Sequence, residues 1–332
     1  MAQHGGGWPD GPDWGVRRVL VTGGCGFVGA HVVAACRARG TGVTVLDDES
    51  IGDRRALAGH DVTLCIGDVR DAAALDRVLP GQDAVVHLAA IPDLAGSLGD
   101  PMGAMDVNVR GSLAVLEAAR RHGVPRVVAA SSGGTVAGDA RPPVGADTVP
   151  APRSPLGAAK LAMEGYLAAY RRTHGVATCA LRLANVYGPG CATKDSVVAR
   201  FLRNVADGRP IAIHGDGTQA RDFVAVTNVA DGIVRALLAG ATGTYQLGSG
   251  VPTSICDLLD VVRRVVDRPL PPRRHVAARP GDVHTTYCDI ADARADFGFE
   301  PAIPLVDGVA RTWASLTAVE SPPGPSRRAN AR

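Results

Sequence analysis

The sequence of 332 residues has no run of basic residues, no C-x-x-C pair and no long uncharged apolar stretch. Its charges nearly balance, with 35 basic and 33 acidic residues, so binding along a nucleic-acid backbone is not expected. No apolar stretch approaches the roughly 18 residues of a membrane span. The cysteines are odd in number and scattered, which argues against a disulfide framework and a zinc site; they are Cys25, Cys36, Cys65, Cys179, Cys191, Cys256 and Cys288. These absences predict a cytoplasmic protein without a nucleic-acid, membrane or metal partner.

Both ends of the chain lack the signals of processed or folded segments. The first residues, "MAQHGGGWPDGPDWG", have no basic start followed by the apolar core of a signal peptide. The last residues, "SPPGPSRRANAR", have the Pro, Ser and Arg content that is typical of disordered segments. We therefore predict a flexible leader over residues 1–15 and a disordered tail over residues 318–332.

Short β-branched runs alternate with helical stretches through the first half of the chain. The series starts with "RRVLVTG", an Ala/Val-rich segment from Phe27 to Arg39 and "GVTVLDD", which together read as a βαβ unit. Further apolar runs follow, and most segments between them are long enough for crossover helices. The pattern predicts an α/β fold of the Rossmann type, a doubly wound parallel sheet, with a dinucleotide-binding lobe over residues 16–184.

The second half of the chain is broken into Gly/Pro-punctuated pieces after Asn185. One helix is predicted at "SICDLLDVVRRVV", where Ser254 is the N-cap, and another from Leu305 to Leu316. We expect residues 185–317 to form mainly a smaller, substrate-binding lobe. The return of some of its strands to the large sheet is left open.

Three glycines mark the turn between the first strand and the first helix. In "VLVTGGCGFVGAH" these are Gly23, Gly26 and Gly29, whose missing side chains let a pyrophosphate approach the backbone and the helix N-terminus. Asp47 ends the next strand 18 residues after Gly29, which is close to the spacing of a carboxylate that binds the adenosine ribose. The motif predicts a nicotinamide dinucleotide.

The choice between NAD(H) and NADP(H) depends on the residues around Asp47. Its carboxylate would repel a 2′-phosphate, which favours NAD(H). Arg54 and Arg55 follow closely and could restore binding of NADP(H), although arginines of an arginine-rich chain more often belong to a solvated surface.

Seven segments carry a family resemblance. They are "TGGCGFVG", "GDVRD", "HLAA", "NVRGSLAVLEAARRHGVPRVVAASS", "LRLANVYGPG", "GDGTQARDFVAVTNVADGI" and "RPGDVHTTYCDI". Together they resemble the extended short-chain dehydrogenase/reductases, and specifically their nucleotide-sugar epimerase and dehydratase branch, over about residues 17–317. The resemblance implies a Rossmann lobe that binds the dinucleotide and a small-molecule substrate between the lobes, and it leaves a homodimer open.

The resemblance also implies which residues bind each ligand. Asp68 would lie near the adenine, Ala89 would line the cofactor channel, and Lys160 would contact the nicotinamide ribose. The cofactor-binding set is Gly23, Gly26, Phe27, Val28, Gly29, Asp47, Asp68, Val69, Ala89 and Lys160. The substrate-binding set is Leu156, Asn185, Tyr187, Arg221 and Arg279, of which Asn185, Arg221 and Arg279 match the diphosphate-binding positions.

The chain departs from the family at its catalytic positions. The family has a tyrosine four residues before the lysine, and this chain has Leu156 before Lys160. Gly133 stands where the supporting Ser or Thr is expected, so Ser132 is the nearest hydroxyl. Lys160 itself is retained in a chain with only two lysines, and its ammonium suits the ribose hydroxyls better than a guanidinium does. The predicted catalytic residues are therefore Lys160 and Ser132.

Three functions are consistent with these departures. One-way reduction of a ketone depends least on a protein base, so we expect an atypical ketoreductase of bacterial antibiotic metabolism, similar to those that act on angucyclinone-type polyketides in simocyclinone-type pathways. In that case water, Ser132 or the substrate would supply the proton, and Leu156 would be an apolar wall. The alternatives are a nucleotide-sugar epimerase or dehydratase, and a non-catalytic regulator that binds the dinucleotide.

Overall fold

The structure is a computed structural model that describes residues 15–192, 194–278 and 283–320. Nearly all of the predicted leader and most of the predicted tail lie outside the described residues, and so does Arg279. Residues 318–320, which we assigned to the tail, belong to the C-terminal helix. That helix runs from Leu305 to Glu320 and not only to Leu316.

The described residues form thirteen strands and twelve α-helices. The strands are β1 (Arg18–Thr22), β2 (Gly42–Asp47), β3 (Thr63–Ile66), β4 (Ala84–His87), β5 (Arg126–Ser132), β6 (Ala177–Leu183), β7 (Asn185–Tyr187), β8 (Ile211–His214), β9 (Ala220–Ala225), β10 (Gly243–Leu247), β11 (Pro252–Ser254), β12 (Arg273–Val276) and β13 (Thr285–Thr286). The helices are α1 (Phe27–Arg37), α2 (Ala72–Val78), α3 (Leu94–Gly99), α4 (Pro101–Met105), α5 (Ser112–Arg121), α6 (Gly133–Ala137), α7 (Pro155–His174), α8 (Val197–Ala206), α9 (Val226–Leu238), α10 (Ile255–Val265), α11 (Ala291–Phe297) and α12 (Leu305–Glu320). A 3₁₀ turn at Arg54–Leu57 and a π-helical turn at Asp106–Gly111 lie between them.

The large sheet has seven strands in the order β10-β6-β5-β4-β1-β2-β3. Every neighbouring pair in it is parallel. Helices cover both faces, because alternate residues of β1 enter different cores: Val19 and Val21 pack with α1 and α9, whereas Leu20 packs with α2, α5 and α7. This arrangement confirms the predicted doubly wound α/β fold.

The boundary between the lobes is less simple than the predicted division at residue 184. Strand β10 returns to the large sheet beside β6, and α9 packs against α1 on the face of that sheet. The reason is the apolar character of α9, since Val229, Ile233 and Leu237 are almost fully buried in the core that contains β1. Residues 226–247 thus belong to the dinucleotide-binding lobe, and the strand return that was left open does occur.

The smaller lobe has a separate core, formed mainly by α8, α10 and α12 over the remaining strands. Strand β9 pairs with β11, β13 and β7, and β8 pairs with β12. Helix α10 begins after Ser254, whose hydroxyl accepts a hydrogen bond from the Asp257 N–H at 3.0 Å, as its capping role predicts.

Among the described residues, no helix has both the length and the apolar character that crossing a membrane requires. The cytoplasmic location stays a prediction.

Candidate active site

The candidate site lies where the carboxyl ends of β1, β2, β4 and β5 meet. Strands β2 and β4 lie on opposite sides of β1, so the chain reverses its direction of travel across the sheet at this point. Open parallel sheets bind ligands in the crevice that such a reversal creates.

The glycine turn after β1 is shaped by two close backbone approaches. A Cβ on Gly29 would overlap the carbonyl oxygen of Gly23 and lie 2.7 Å from the Gly24 Cα. Gly23 has a φ of 70°, and a Cβ on it would lie 2.6 Å from the nitrogen of Ala89. A Cβ on Gly26 would meet only the Gly23 oxygen at 3.2 Å, so the missing side chain there leaves open space in front of α1. This glycine-lined cradle fits the pyrophosphate of a dinucleotide.

Asp47 connects the end of β2 to this turn. One carboxylate oxygen accepts a hydrogen bond from the Cys25 N–H at 2.9 Å, and the other accepts one from the Glu49 N–H at 2.8 Å. The side chain is largely buried, which raises the pKa of Asp47, while the two N–H donors oppose that increase. Asp47 is therefore held in a single position beside the glycine turn, where a ribose would lie.

The two arginines that could have favoured NADP are already paired with carboxylates. The guanidinium of Arg54 donates to Glu49 at 2.8 Å, and that of Arg55 donates to Asp53 at 2.7 Å. The hydrogen bonds from these arginines lower the pKa of both carboxyl groups, which keeps them ionised. Each pair is close to neutral, so neither arginine offers a free charge to a 2′-phosphate, which the carboxylate of Asp47 would repel. The geometry therefore favours NAD.

The predicted adenine side of the site follows β3. The Asp68 carboxylate accepts hydrogen bonds from the Arg70 N–H at 2.7 Å and from the Arg70 guanidinium, whose hydrogen bond lowers the pKa of Asp68. Val69 is buried in the core beneath. Phe27 and Val28 begin α1 and are partly buried. The predicted cofactor residues lie at or just after the carboxyl ends of β1, β2, β3 and β4. The parallel sheet brings these four strand ends to the same side of the molecule.

A buried hydrogen-bond network behind Ala89 was not predicted from the sequence. The His87 Nε2 lies 2.9 Å from the Ser112 hydroxyl, which donates to the carbonyl oxygen of Asn108 at 2.7 Å. Because that hydroxyl proton is committed, Ser112 accepts from His87 Nε2, and His87 Nδ1 accepts from the Thr22 hydroxyl at 2.7 Å. Burial lowers the pKa of His87 to about 3, so the ring is neutral.

The same network holds the loop that follows β4. The Asn108 side chain accepts from the Ile91 N–H at 2.8 Å and donates to the Ile91 carbonyl oxygen at 3.0 Å. The loop between His87 and Ile91 contains Ala89, so the predicted wall of the cofactor channel is fixed from below. Asn108 and Ile91 are 17 positions apart in the chain, so no local sequence pattern indicates this contact.

Lys160 is a buried lysine on the inner side of α7. Its ammonium donates to the carbonyl oxygen of Ala130 in β5 at 2.8 Å. Burial lowers the pKa of Lys160 to about 8, opposed by the charge of Glu164 one turn further along the helix. Glu164 is itself bonded to Arg182 at 2.8 Å and to the Ser131 hydroxyl at 2.5 Å. Lys160 therefore changes its charge close to neutral pH.

Leu156 lies one turn before Lys160, in the first turn of α7, where the Ser154 hydroxyl caps Gly157 at 3.1 Å. Its side chain is only 5% exposed. Ser132 is partly exposed at the end of β5. Its neighbour Ser131 points to α7, so the alternation of a strand directs Ser132 to the other face. Their predicted roles as a substrate wall and as a proton source stay predictions.

A side chain at Gly133 would require the neighbouring Gln246 side chain to move. A Cβ on Gly133 would lie 2.9 Å from the amide oxygen of Gln246 and 3.5 Å from the sulfur of Cys288. Gln246 is almost fully buried on β10, and its amide donates to the Gly145 carbonyl oxygen at 3.2 Å. The space at position 133 is therefore limited by Gln246 and Cys288, which lie more than 100 positions later in the chain.

We expect Gly133→Ser to lower the free energy of unfolding by about 1–3 kcal/mol, because the buried Gln246 amide must move. Gln246→Asn shortens that side chain by one methylene. In the Gln246→Asn background the serine should cost about 1 kcal/mol less. Urea denaturation of the four proteins of this cycle measures the coupling, and additive effects would show that Gln246 does not exclude the side chain.

The predicted substrate residues are placed unequally. Asn185 is exposed at the start of β7, and Arg221 on β9 is partly buried and donates to the carbonyl oxygen of His284 at 3.1 Å. Arg279 lies outside the described residues. The prediction that Tyr187 contacts substrate is corrected, because its ring is 1% exposed in the core of the smaller lobe and its hydroxyl donates to the Leu305 carbonyl oxygen at 3.4 Å.

Comparison with known proteins adds the family. Residues 19–248 match the model of the NAD dependent epimerase/dehydratase family. The chain belongs to this family. The family is one of NAD-dependent enzymes, and NAD as the cofactor agrees with the glycine cradle and with the paired Arg54 and Arg55.

Relatives of the chain share both of its lobes. It is 36% identical over 305 residues to UDP-glucose 4-epimerase of Mycolicibacterium smegmatis, which covers 89% of this chain and 97% of the relative. It is 32% identical to dTDP-glucose 4,6-dehydratase of Streptomyces niveus, over 89% of this chain and 91% of the relative. The crystal structure of Thermus thermophilus UDP-glucose 4-epimerase with NAD has a TM-score of 0.84 and 33% identity, over 90% of this chain and 99% of the other.

These comparisons overturn the predicted main function. The prediction of an antibiotic-pathway ketoreductase is wrong, because the relatives that match nearly the whole chain are nucleotide-sugar epimerases and dehydratases. That class was our first alternative. The prediction failed because it gave two lost hydroxyls more weight than a resemblance that spans both lobes.

Proposed function

We propose that the protein binds a nucleoside-diphosphate sugar beside NAD and modifies the sugar at C4, as an epimerase or a dehydratase. The supporting observation is that the similarity covers 97% of a UDP-glucose 4-epimerase, and so includes the smaller lobe as well as the dinucleotide-binding lobe. An enzyme of another substrate class could share the Rossmann lobe alone. C4 is the position that the names of both kinds of relative share.

The substrate would lie between the lobes, against β7 and β9. Asn185 and Phe223 are register partners on these strands, and Arg221 lies two residues before Phe223. An exposed amide and a guanidinium on adjacent strands suit the oxygens of a diphosphate. These two side chains therefore support a charged nucleotide as substrate.

The proton of the sugar hydroxyl has to be handled without a phenol. NAD, when bound, supplies the hydride chemistry of the family. Among the described residues around Ala130, Lys160 titrates near neutral pH, whereas His87 stays neutral and Leu156 has no polar atom. We infer that Lys160, besides orienting the nicotinamide ribose, takes the proton from the sugar hydroxyl and returns it, directly or through water. Ser132 stays a predicted proton source, although β5 directs its side chain away from the face that α7 covers.

Activity should then rise with pH and level off above about pH 8. Lys160 can accept a proton only as a neutral amine. It loses its charge as the pH rises through its pKa, which burial lowers to about 8. The measurement is the initial rate of product formation from UDP-glucose or dTDP-glucose across the range from about pH 6 to pH 10. Lys160→Met should remove both the activity and its pH dependence, and a flat profile in the wild type would exclude Lys160 as the base.

The function itself is tested by titrating the protein with UDP and with dTDP in the presence of NAD, followed by chromatography of the sugar products. We expect one of these nucleotides to bind and its glucose derivative to be converted slowly. Failure of both nucleoside diphosphates to bind would contradict the proposal.

A second candidate function is a binding protein that holds NAD and a nucleotide sugar without turning the sugar over. The observation in its favour is that neither position 156 nor position 133 carries a hydroxyl. It predicts tight binding of both ligands and no product at any pH.

The homodimer left open above also stays a prediction, which the molar mass in solution would test.

A further inference from the structure

The loop between β7 and α8 lies against the first turn of α1. A Cβ on Gly190 in this loop would be 3.7 Å from the Phe27 ring and 3.9 Å from the His31 ring. The Lys194 N–H donates to the Cys191 carbonyl oxygen at 2.9 Å, and the Arg203 guanidinium of α8 donates to the Lys194 carbonyl oxygen at 2.9 Å. The loop thus connects the smaller lobe to the helix that begins at the glycine turn.

The ammonium of Lys194 has an unusual environment. It lies 4.9 Å from the centroid of the Phe27 ring, the first residue of α1. It is partly buried, and this burial lowers its pKa. No carboxylate of a described residue lies within 4 Å of it, and the neighbouring Asp195 is paired with Arg200 at 3.3 Å. Among the described residues, the one group that compensates the charge of Lys194 is therefore the aromatic face of Phe27.

A positive charge at this place is unfavourable while no anion is bound. The N-terminus of α1 carries a partial positive charge, because its first N–H groups have no partner within the helix. Gly26 supplies no side-chain cap, and the first turn of α1 has no acidic residue. The ammonium and the helix N-terminus are both positive and repel each other. A negatively charged group that binds to both offsets this repulsion. A diphosphate in the glycine cradle has the required charge.

We propose that Lys194 binds the diphosphate of NAD at the glycine turn. The chain has two lysines among its 35 basic residues. Lys160 is one of the predicted cofactor residues, and the structure puts Lys194 beside Phe27, the first residue of α1. Lys194 reaches that site from the smaller lobe, so binding of NAD through this residue would join the two lobes. The inference concerns the cofactor and does not depend on which sugar nucleotide is used.

The test is calorimetric titration of NAD⁺ into Lys194→Met, which keeps the length of the side chain and removes its charge. We expect the Kd for NAD⁺ to rise about tenfold, the effect of about 1.4 kcal/mol. The salt dependence of that Kd should also become weaker, because one fewer positive charge meets the diphosphate. Lys194→Arg should retain most of the affinity. Arg209→Met removes a charge from the exposed pair with Asp207 and should bind NAD⁺ as the wild type does.

A second diphosphate could also reach Lys194, namely that of the nucleotide sugar. Titration of UDP in the absence of NAD⁺ separates the two sources, and UDP binding should be unchanged in Lys194→Met. Loss of UDP affinity with retained NAD⁺ affinity would overturn the proposal, as would wild-type affinity for NAD⁺ in that variant. Equal losses in Lys194→Met and Lys194→Arg, with a lower Tm in both, would assign Lys194 a structural role and would also overturn it.

Discussion

Leu156→Tyr is expected to raise the turnover of the nucleotide sugar by about 10²- to 10⁴-fold, the usual contribution of a positioned general acid or base. Position 156 lies one turn before Lys160 on the same side of α7, so the new phenol would lie beside the ammonium. A neighbouring positive charge lowers the pKa of a phenol from its ordinary value of about 10. Tyrosine at 156 would therefore add the proton-transfer group that Leu156 cannot provide.

The control for this variant is Leu156→Phe. Leu156 is largely buried, so a ring at this position must displace its neighbours, and phenylalanine reproduces that effect without the hydroxyl. Initial rates with UDP-glucose or dTDP-glucose, together with the Tm of each variant, separate the two contributions. If the tyrosine variant is no faster than the phenylalanine variant, proton transfer at position 156 does not limit the reaction. If Leu156→Tyr turns over no sugar although it binds both ligands, the non-catalytic candidate is favoured.

Gly29→Ala is expected to lower the free energy of unfolding by about 3 kcal/mol or more and to abolish NAD binding. The new Cβ would overlap the carbonyl oxygen of Gly23, which is a backbone atom and cannot rotate away. The glycine turn would have to open, and its N–H groups would no longer converge on the pyrophosphate. Urea denaturation and calorimetric titration of NAD⁺ measure the two effects.

Gly26→Ala is the matched control, because it should lose NAD affinity with little loss of stability. Its Cβ would point into the space that the pyrophosphate needs and would meet only the Gly23 oxygen at 3.2 Å. Gly165→Ala, on an exposed part of α7 with no atom within 4 Å of the new Cβ, should stabilise the helix by up to about 1 kcal/mol. Wild-type stability and NAD affinity in Gly29→Ala would contradict the assigned role of the glycine turn.

The predictions made from the sequence were most accurate for features that residues close together in the chain form. The strand, glycine turn and helix at Gly23–Gly29 are local, and the alternation of strands with crossover helices led directly to the parallel sheet. The division at residue 184 was less accurate, because nothing in the local pattern of α9 and β10 shows which sheet they join. The structure places them by burial of Val229 and Ile233 against β1.

The sequence by itself determined the α/β fold, the glycine cradle with Asp47, the retained Lys160 and the absence of hydroxyls at positions 133 and 156, since each depends on residue type and short spacing. Only the tertiary structure brought Gln246 against Gly133, buried Tyr187, joined His87 to Asn108 and put Lys194 beside Phe27. The residues of these contacts are far apart along the chain. Their proximity follows from the order of the strands and from the packing of the two lobes, and no local pattern of residues encodes it.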